Sequence, residues 1–452
     1  MDSQEKETTT QNHPAYNAAT AIKTSVTVKM FAVGFLILLM LIPAAALMML
    51  IDERQTRRNE AVAEVSSKWG NMQEITGPVL SIPFTQYVKD PNGQTAETTQ
   101  HIHFLPDELN ITGSIQPEIR YRGIYRVILY TARLTVSGSF AAPDLGQFSI
   151  PDKDLHLNRA FVAVGIPDMR GIKETVALTW NTDSLSFDPG IPAPDVAASG
   201  VSVRVPLAGQ TPKYTFSFNL QLNGSEALQF APMGKVTTVQ LQSPWENPSF
   251  DGAFLPDERQ ISPGGFTAQW KVLHLNRNYP QQWQGNTYNV AGSMFGVKLI
   301  QPVDEYQKTS RAAKYAVMFI MLTFTVFFFV EVLNRKNIHT LQYLLVGAAL
   351  CLFYLLLLSL TEQMDFGLAY LVSGTATVAL ITAYSGSVFG NSRLTALLFA
   401  LLLALYLFLY FVLQLQDYAL LMGSIGLFVF LAVIMYASRN VDWYNAGKLP
   451  GN

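Results

Sequence analysis

A chain of 452 residues with a single cysteine forms no internal disulfide. That cysteine, Cys351, lies inside an apolar run, where no thiol nucleophile would meet a water-borne substrate. Whatever folds outside those runs must be held by its core alone, which a large domain can do. An excess of one charge sign is missing too, with 31 Lys and Arg against 33 Asp and Glu. Over residues 52–311 the counts are 22 and 25, with the signs interspersed. A nucleic-acid partner would need a basic patch, so no nucleic acid is expected. Cofactor signatures are likewise lacking. Gly234-Lys235 looks like the end of a phosphate loop, but Gln229 stands where its first glycine belongs and Val236 replaces the Ser or Thr. No serine has the G-x-S-x-G setting of a nucleophile elbow.

Long apolar runs are what the sequence does have, and they are unevenly placed. One covers about residues 30–51, with the uncharged core FLILLMLIPAAALMMLI. Five more cover about 315–333, 338–360, 366–384, 394–413 and 418–437. A helix rises about 1.5 Å per residue, so about 20 apolar residues cross a bilayer, and helix is the form that satisfies the backbone there. Ala44-Ala45-Ala46 offers a signal-peptide cleavage pattern, but Leu47 to Ile51 prolong the run beyond a cleavable segment, so it reads as an anchor.

The expected fold class is therefore membrane α+β. It has six transmembrane helices, one N-terminal and five C-terminal, and a large β-rich periplasmic domain after the first. The expected parts are a disordered cytoplasmic tail at 1–29, helix one at 30–51, the β-rich domain at 52–311, the bundle at 312–438 and a short cytoplasmic tail at 439–452. Orientation follows from the short loops. Arg335, Lys336, Arg393, Arg439 and Lys448 mark one side, while Glu362, Asp365 and Asp417 mark the other. Basic loops stay inside, which puts both termini in the cytoplasm and the β-rich domain on the far side of the membrane.

Within 52–311, residues 52–68 read as a helix continuing from the first span. Tyr214–Asn223 and Leu134–Phe140 alternate with period two, as half-buried strands do. Residues 201–205, 236–241 and 266–272 are further strands, and Asp90-Pro91-Asn92-Gly93 is a hairpin turn. Phe104-Leu-Pro-Asp-Glu108 recurs as Phe254-Leu-Pro-Asp-Glu258. Chance identity is the preferred explanation. The alternative is a duplication into modules of about 70–190 and 199–300, with Pro189–Ala198 as their linker.

Candidate chemistry is sparse. His101 and His103 share a strand face, as two zinc ligands would, but a pair of half-exposed strand histidines is preferred, so no metal is expected. Glu331 is the acid within a span, and Arg335, four residues on, is its natural partner in an interfacial salt bridge. Ala369, Ser373 and Thr377 sit four apart, a pattern for close helix packing rather than a substrate lining. Asp107/Glu108 and Asp257/Glu258 are carboxylate pairs that a hydrolase could use, but surface turns explain them better.

Several segments carry a resemblance. Asp304-Glu-Tyr-Gln-Lys-Thr-Ser-Arg311-Ala-Ala-Lys314-Tyr315 leads into the second span, followed by Phe327-Phe-Phe-Val-Glu331, Leu341–Gly347, Leu352–Leu358 and Arg439-Asn-Val-Asp-Trp443-Tyr444. Shorter pieces are Gly77-Pro78, Gly123-Ile-Tyr125, Trp245 with Pro248-Ser-Phe250, Phe254-Leu-Pro256, and Gly265-Phe266 with Trp270. In that order they resemble the CreD family, bacterial inner-membrane proteins of cell envelope integrity, over about residues 28–444.

The resemblance implies a role in envelope integrity, tolerance of certain colicins, and expression under a two-component response. It brings no catalytic residues. Asp304, Tyr306, Arg311, Lys314, Glu331, Arg335 and Trp443 are taken from it as structural or coupling positions. The expected function is non-enzymatic maintenance of the envelope, by a periplasmic domain that binds or senses an envelope component. The expected partners are the lipid bilayer and an envelope lipid, peptidoglycan or envelope proteins. A transporter or lipid flippase is the alternative, and it would need a polar route through the bundle.

Overall fold

The computed structural model describes residues 26–89, 95–207, 212–300, 305–334, 336, 338–415 and 418–439. Residues 1–25 and 440–452 of the expected tails, the 90–93 turn, Asp304, Arg335 and Trp443 lie outside the described residues, while 26–29 of the tail expected to be disordered are helical. The chain forms two compact units, Met1–Arg57 with Asp304–Asn452, and Arg58–Val303.

In the first unit, helix α1 (Val26–Trp69) starts in the apolar run and continues through the polar 52–68 segment, which belongs to the second unit from Arg58 on. The others are α2 (Glu305–Lys314), α3 (Ala316–Leu333), α4 (Thr340–Thr361), α5 (Phe366–Phe389), α6 (Ser392–Gln414) and α7 (Ala419–Ser438). Among the described residues, five helices are long and apolar enough to cross a membrane: Val28–Trp69, Tyr306–Leu333, Thr340–Thr361, Phe366–Phe389 and Ser392–Gln414. Leu421–Tyr436 is a shorter apolar helix.

Their common core is aromatic. Tyr406 stands edge-on to Phe319 at 5.1 Å and to Phe353 at 4.7 Å between ring centres, and Phe353 meets Tyr370 at 5.5 Å. Ala369, Ser373 and Thr377 form the buried stripe of α5. The Ser373 and Thr377 hydroxyls donate to the carbonyls of Ala369 and Ser373, so the stripe packs rather than lines a path.

The second unit is two-layered. Its strands are β1 (Gln73–Lys89), β2 (Thr95–Phe104), β3 (Glu108–Arg122), β4 (Tyr125–Ala141), β5 (Phe161–Gly165), β6 (Ala177–Trp180), β7 (Asp183–Ser186), β8 (Asp188–Pro189), β9 (Gly200–Arg204), β10 (Lys213–Ser225), β11 (Ala227–Phe230), β12 (Val236–Ser243), β13 (Pro248–Gly252), β14 (Glu258–Ser262), β15 (Gly265–Leu273), β16 (Gln282–Gln284) and β17 (Phe295–Leu299). One sheet runs β13-β17-β11-β1-β5-β9-β8, with β2 pairing β1 and β16 pairing β2. The other runs β14-β15-β12-β3-β4-β10-β6-β7. Both sheets feed one hydrophobic core. The alternating stretch at Tyr214–Asn223 lies in β10, where every second side chain enters that core.

That single core runs across the boundary at about 190 that a duplication would set. β9 and β10, from the second half, pair with β5 and β4 from the first. Unpaired strand edges and half-covered faces are costly, so the halves are completed by each other. The two FLPDE segments hold different places: the first enters β3, inside its sheet, and the second enters β14, at an edge. The expected linker is packed as well, with Ala193 and Val196 buried.

The short pieces of family resemblance are mostly packing. Phe250 meets Phe266 and Trp270, each at 5.7 Å, and Trp270 meets Phe295 at 5.8 Å. Trp245 donates from Nε1 to the carbonyls of Asn247 and Ile300, both at 3.1 Å. Gly265 has φ +123°, and a Cβ there would stand 2.0 Å from the Ser243 carbonyl oxygen, so the β14–β15 turn needs glycine.

Candidate functional site

The strongest polar arrangement in the β-rich unit centres on His103. β1 and β2 place Ser81 directly opposite it, so both side chains leave the same face. Ser81 Oγ lies 2.9 Å from His103 Nδ1, and Asp195 Oδ2 lies 2.9 Å from Nε2. With Nε2–H donating to Asp195, Nδ1 accepts from the Ser81 hydroxyl. Ser81 and His103 are fully buried, which corrects the expectation of a half-exposed histidine. Both ring nitrogens are occupied by protein partners, so His103 has no lone pair to give a metal while these contacts stand. His101 stacks on His103 with ring centres 6.2 Å apart. Burial holds its imidazole below the ordinary histidine value, against the pull of Asp195.

Ser, His and Asp in hydrogen-bonded series are also the parts of a hydrolase. Here the serine sits inside a sheet, and a nucleophile must reach the substrate carbonyl. In this structure Ser81 has no such access, and the series positions Asp195 instead. Burial pushes the Asp195 carboxyl up, but the hydrogen bond from His103 and the electrostatic pull of that ring overcome this and hold it below the usual carboxylate value.

Asp195 faces a cleft of ≈ 470 Å³ whose lining includes Glu74, Ser199, Asn286, Tyr288 and Asn289. Glu74 comes from β1, Asp195 and Ser199 from the segment between β8 and β9, and the others from the segment between β16 and β17. Two carboxylates accept from hydroxyl or amine groups, two amides can donate or accept, and Tyr288 offers an aromatic face.

Two of the other carboxylate candidates have local partners. Asp257 Oδ2 accepts from the Lys271 amide at 2.7 Å, and Glu108 lies 3.7 Å from Lys213 Nζ. The Asp107 and Asp257 amides donate to the carbonyls of Ser139 and Gln269, a shared way of opening a strand pair.

In the helical unit, two polar clusters bind helices together. At one, Glu331 is 4% exposed and accepts from Lys29 Nζ at 2.7 Å and Tyr343 OH at 2.9 Å. The expected partner Arg335 lies outside the described residues, and Glu331 is more deeply buried than an interfacial pair implies. At the other, Glu362 accepts from Tyr306 OH at 3.2 Å and lies 3.7 Å from Arg54. Arg311 Nη2 donates to the Leu415 carbonyl at 2.9 Å, and Lys314 is exposed. Thus α2, the helix of the 304–315 resemblance, clamps the ends of α4 and α6.

Lys29, Tyr343, Ser81 and Asp195 were not among the sequence candidates. Lys29 was legible as a cation at the entrance of an apolar run, and Asp195 as the one charge in a Pro- and Ala-rich stretch. Neither signal names a partner.

Comparison with known proteins matches the family model described as "Inner membrane protein CreD" to residues 25–444. The "Inner membrane protein CreD" of Escherichia coli (strain K12) is 33% identical over 430 residues, 93% of this chain and 94% of the relative.

Proposed function

Since the chain belongs to the CreD family of inner membrane proteins, we propose that it is a non-enzymatic envelope-maintenance protein whose β-rich unit is periplasmic and binds an envelope component. In this reading all six apolar helices cross the membrane with both termini cytoplasmic, which the basic and acidic loop pattern supports.

The observation that carries the proposal is the cleft beside Asp195. Its carboxylates, amides and Tyr288 suit a hydroxyl- or amine-bearing component, such as the glycan of peptidoglycan. Against transport, the carboxylate within a span, Glu331, is already met by Lys29 and Tyr343.

The test places a photo-crosslinking residue at Tyr288 in the full-length protein in cells and compares Asp195→Asn with the unsubstituted chain. A crosslink to peptidoglycan or another envelope component, weakened by Asp195→Asn, is the expected result. No crosslink above that of a distant surface site, together with an unaltered response of a deletion strain to detergents and envelope antibiotics, overturns the proposal.

A further inference from the structure

Helices α5 and α6 leave a groove of ≈ 460 Å³ between them, with Gly367, Tyr370, Gly374, Leu403 and Tyr410 among its lining. Gly374 keeps it deep: a Cβ there would touch the Tyr406 ring at 3.4 Å. The α5 wall runs from Gly367 to Ala379. At 1.5 Å per residue that is about 18 Å, or three fifths of the roughly 30 Å hydrocarbon thickness. Past Phe399 the next hollow is lined by Thr382, Asn391, Ser392 and Thr395, groups that hydrocarbon covers poorly. The apolar groove therefore serves one leaflet and not the whole helix length.

A cation stands at its mouth. Lys308 Nζ lies 5.3 Å from the centre of the Phe366 ring, the residue before Gly367. It also donates to Gln414 Oε1 at 3.4 Å, one turn beyond Tyr410. Arg311 is on the same short helix. The nearby acids already have partners: Asp365 accepts from the Gly367 amide at 2.9 Å, and Glu362 is met by Tyr306 and Arg54.

We propose that this groove seats one acyl chain of an anionic phospholipid, with its phosphate on Lys308. A helix from a second copy is the competing occupant. It would follow the seam along its full length and would not call for an ammonium at one mouth. The site is separate from the cleft beside Asp195, and its test is independent of the proposed function.

The test is native mass spectrometry of the full-length protein released from detergent, with a phosphatidylglycerol, a phosphatidylcholine of the same chains, and inorganic phosphate as probes. The expected result is a retained adduct with phosphatidylglycerol in preference to phosphatidylcholine, and none with phosphate alone. Lys308→Gln should reduce the preference about fivefold, since a basic side chain near an anionic headgroup contributes about 1 kcal/mol. Leu403→Trp, a change at a half-exposed wall, should remove both adducts. Equal retention of the two lipids, a preference unchanged by Lys308→Gln, or a dimer mass that Leu403→Trp abolishes would each overturn the proposal.

Discussion

Lys29 and Glu331 form an ion pair of 2.7 Å that ties the start of α1 to the end of α3. The two ends of the pair are unequally placed: Glu331 is 4% exposed and Lys29 24%. Glu331 also accepts from Tyr343 OH, so three helices meet at one carboxylate.

Removal of either partner should therefore cost unequal amounts. Lys29→Met leaves a buried carboxylate without its cation and should destabilise by about 3–5 kcal/mol. Glu331→Gln leaves Lys29 able to reach water and should cost less. The double substitution should recover part of the Lys29→Met loss. Detergent-unfolding midpoints of the four proteins measure this, and equal losses for the two single variants would contradict it.

Tyr306 should matter through its hydroxyl. Its hydrogen bond to the Glu362 carboxylate has a charged acceptor, so Tyr306→Phe should cost about 1.5–3 kcal/mol. Protease cleavage before α3 should rise if α2 loosens. The same change should leave the β-rich unit's unfolding unaltered.

The β-rich unit should lose stability in acid in two steps. His101 is held below its ordinary value, so the unfolded chain takes up a proton near pH 6.5 and the folded one only at lower pH. Asp195 is likewise held low, and the unfolded carboxyl takes up its proton near pH 3.9. In both windows the unfolded state binds more protons, so stability falls with falling pH. Unfolding of the full-length protein followed between pH 8 and 3 should show the upper step removed by His101→Gln and the lower step by Asp195→Asn.

Trp270 is fully buried among Phe250, Phe266 and Phe295, and its indole N–H finds no acceptor among the described residues. Trp270→Ala should cost about 3–5 kcal/mol through the cavity it leaves. Trp270→Phe should cost clearly less, because its ring refills most of that cavity, while both changes remove an indole N–H whose unsatisfied burial costs about 1–3 kcal/mol. Thermal unfolding of the two variants decides it: similar losses would show that the cavity does not set the cost.

Much of the fold was legible because its signals are local. An uncharged run of about 20 residues reports a membrane-length helix by itself. The alternation at Tyr214–Asn223 reports a strand with one face in a core. Packing of the Ala369, Ser373 and Thr377 stripe followed from spacing. The site was less legible. His101 and His103 drew attention as a pair, yet His103 acts with Ser81 and Asp195, from two other segments. Asp195 looked like part of a linker because proline and alanine around it carry no pattern. The FLPDE repeat left duplication open as an alternative, because five residues record how a strand opens, not where it lies in a sheet.

The sequence alone determined the apolar helices, several strands and the mixed-sign composition, since hydropathy and period are properties of neighbouring residues. Only the tertiary structure decided which charges meet. Lys29 with Glu331, and His103 with Asp195, are pairs remote in sequence. Each forms because a buried charge or imidazole left without a partner costs several kcal/mol, and the packed chain supplies the group that satisfies it.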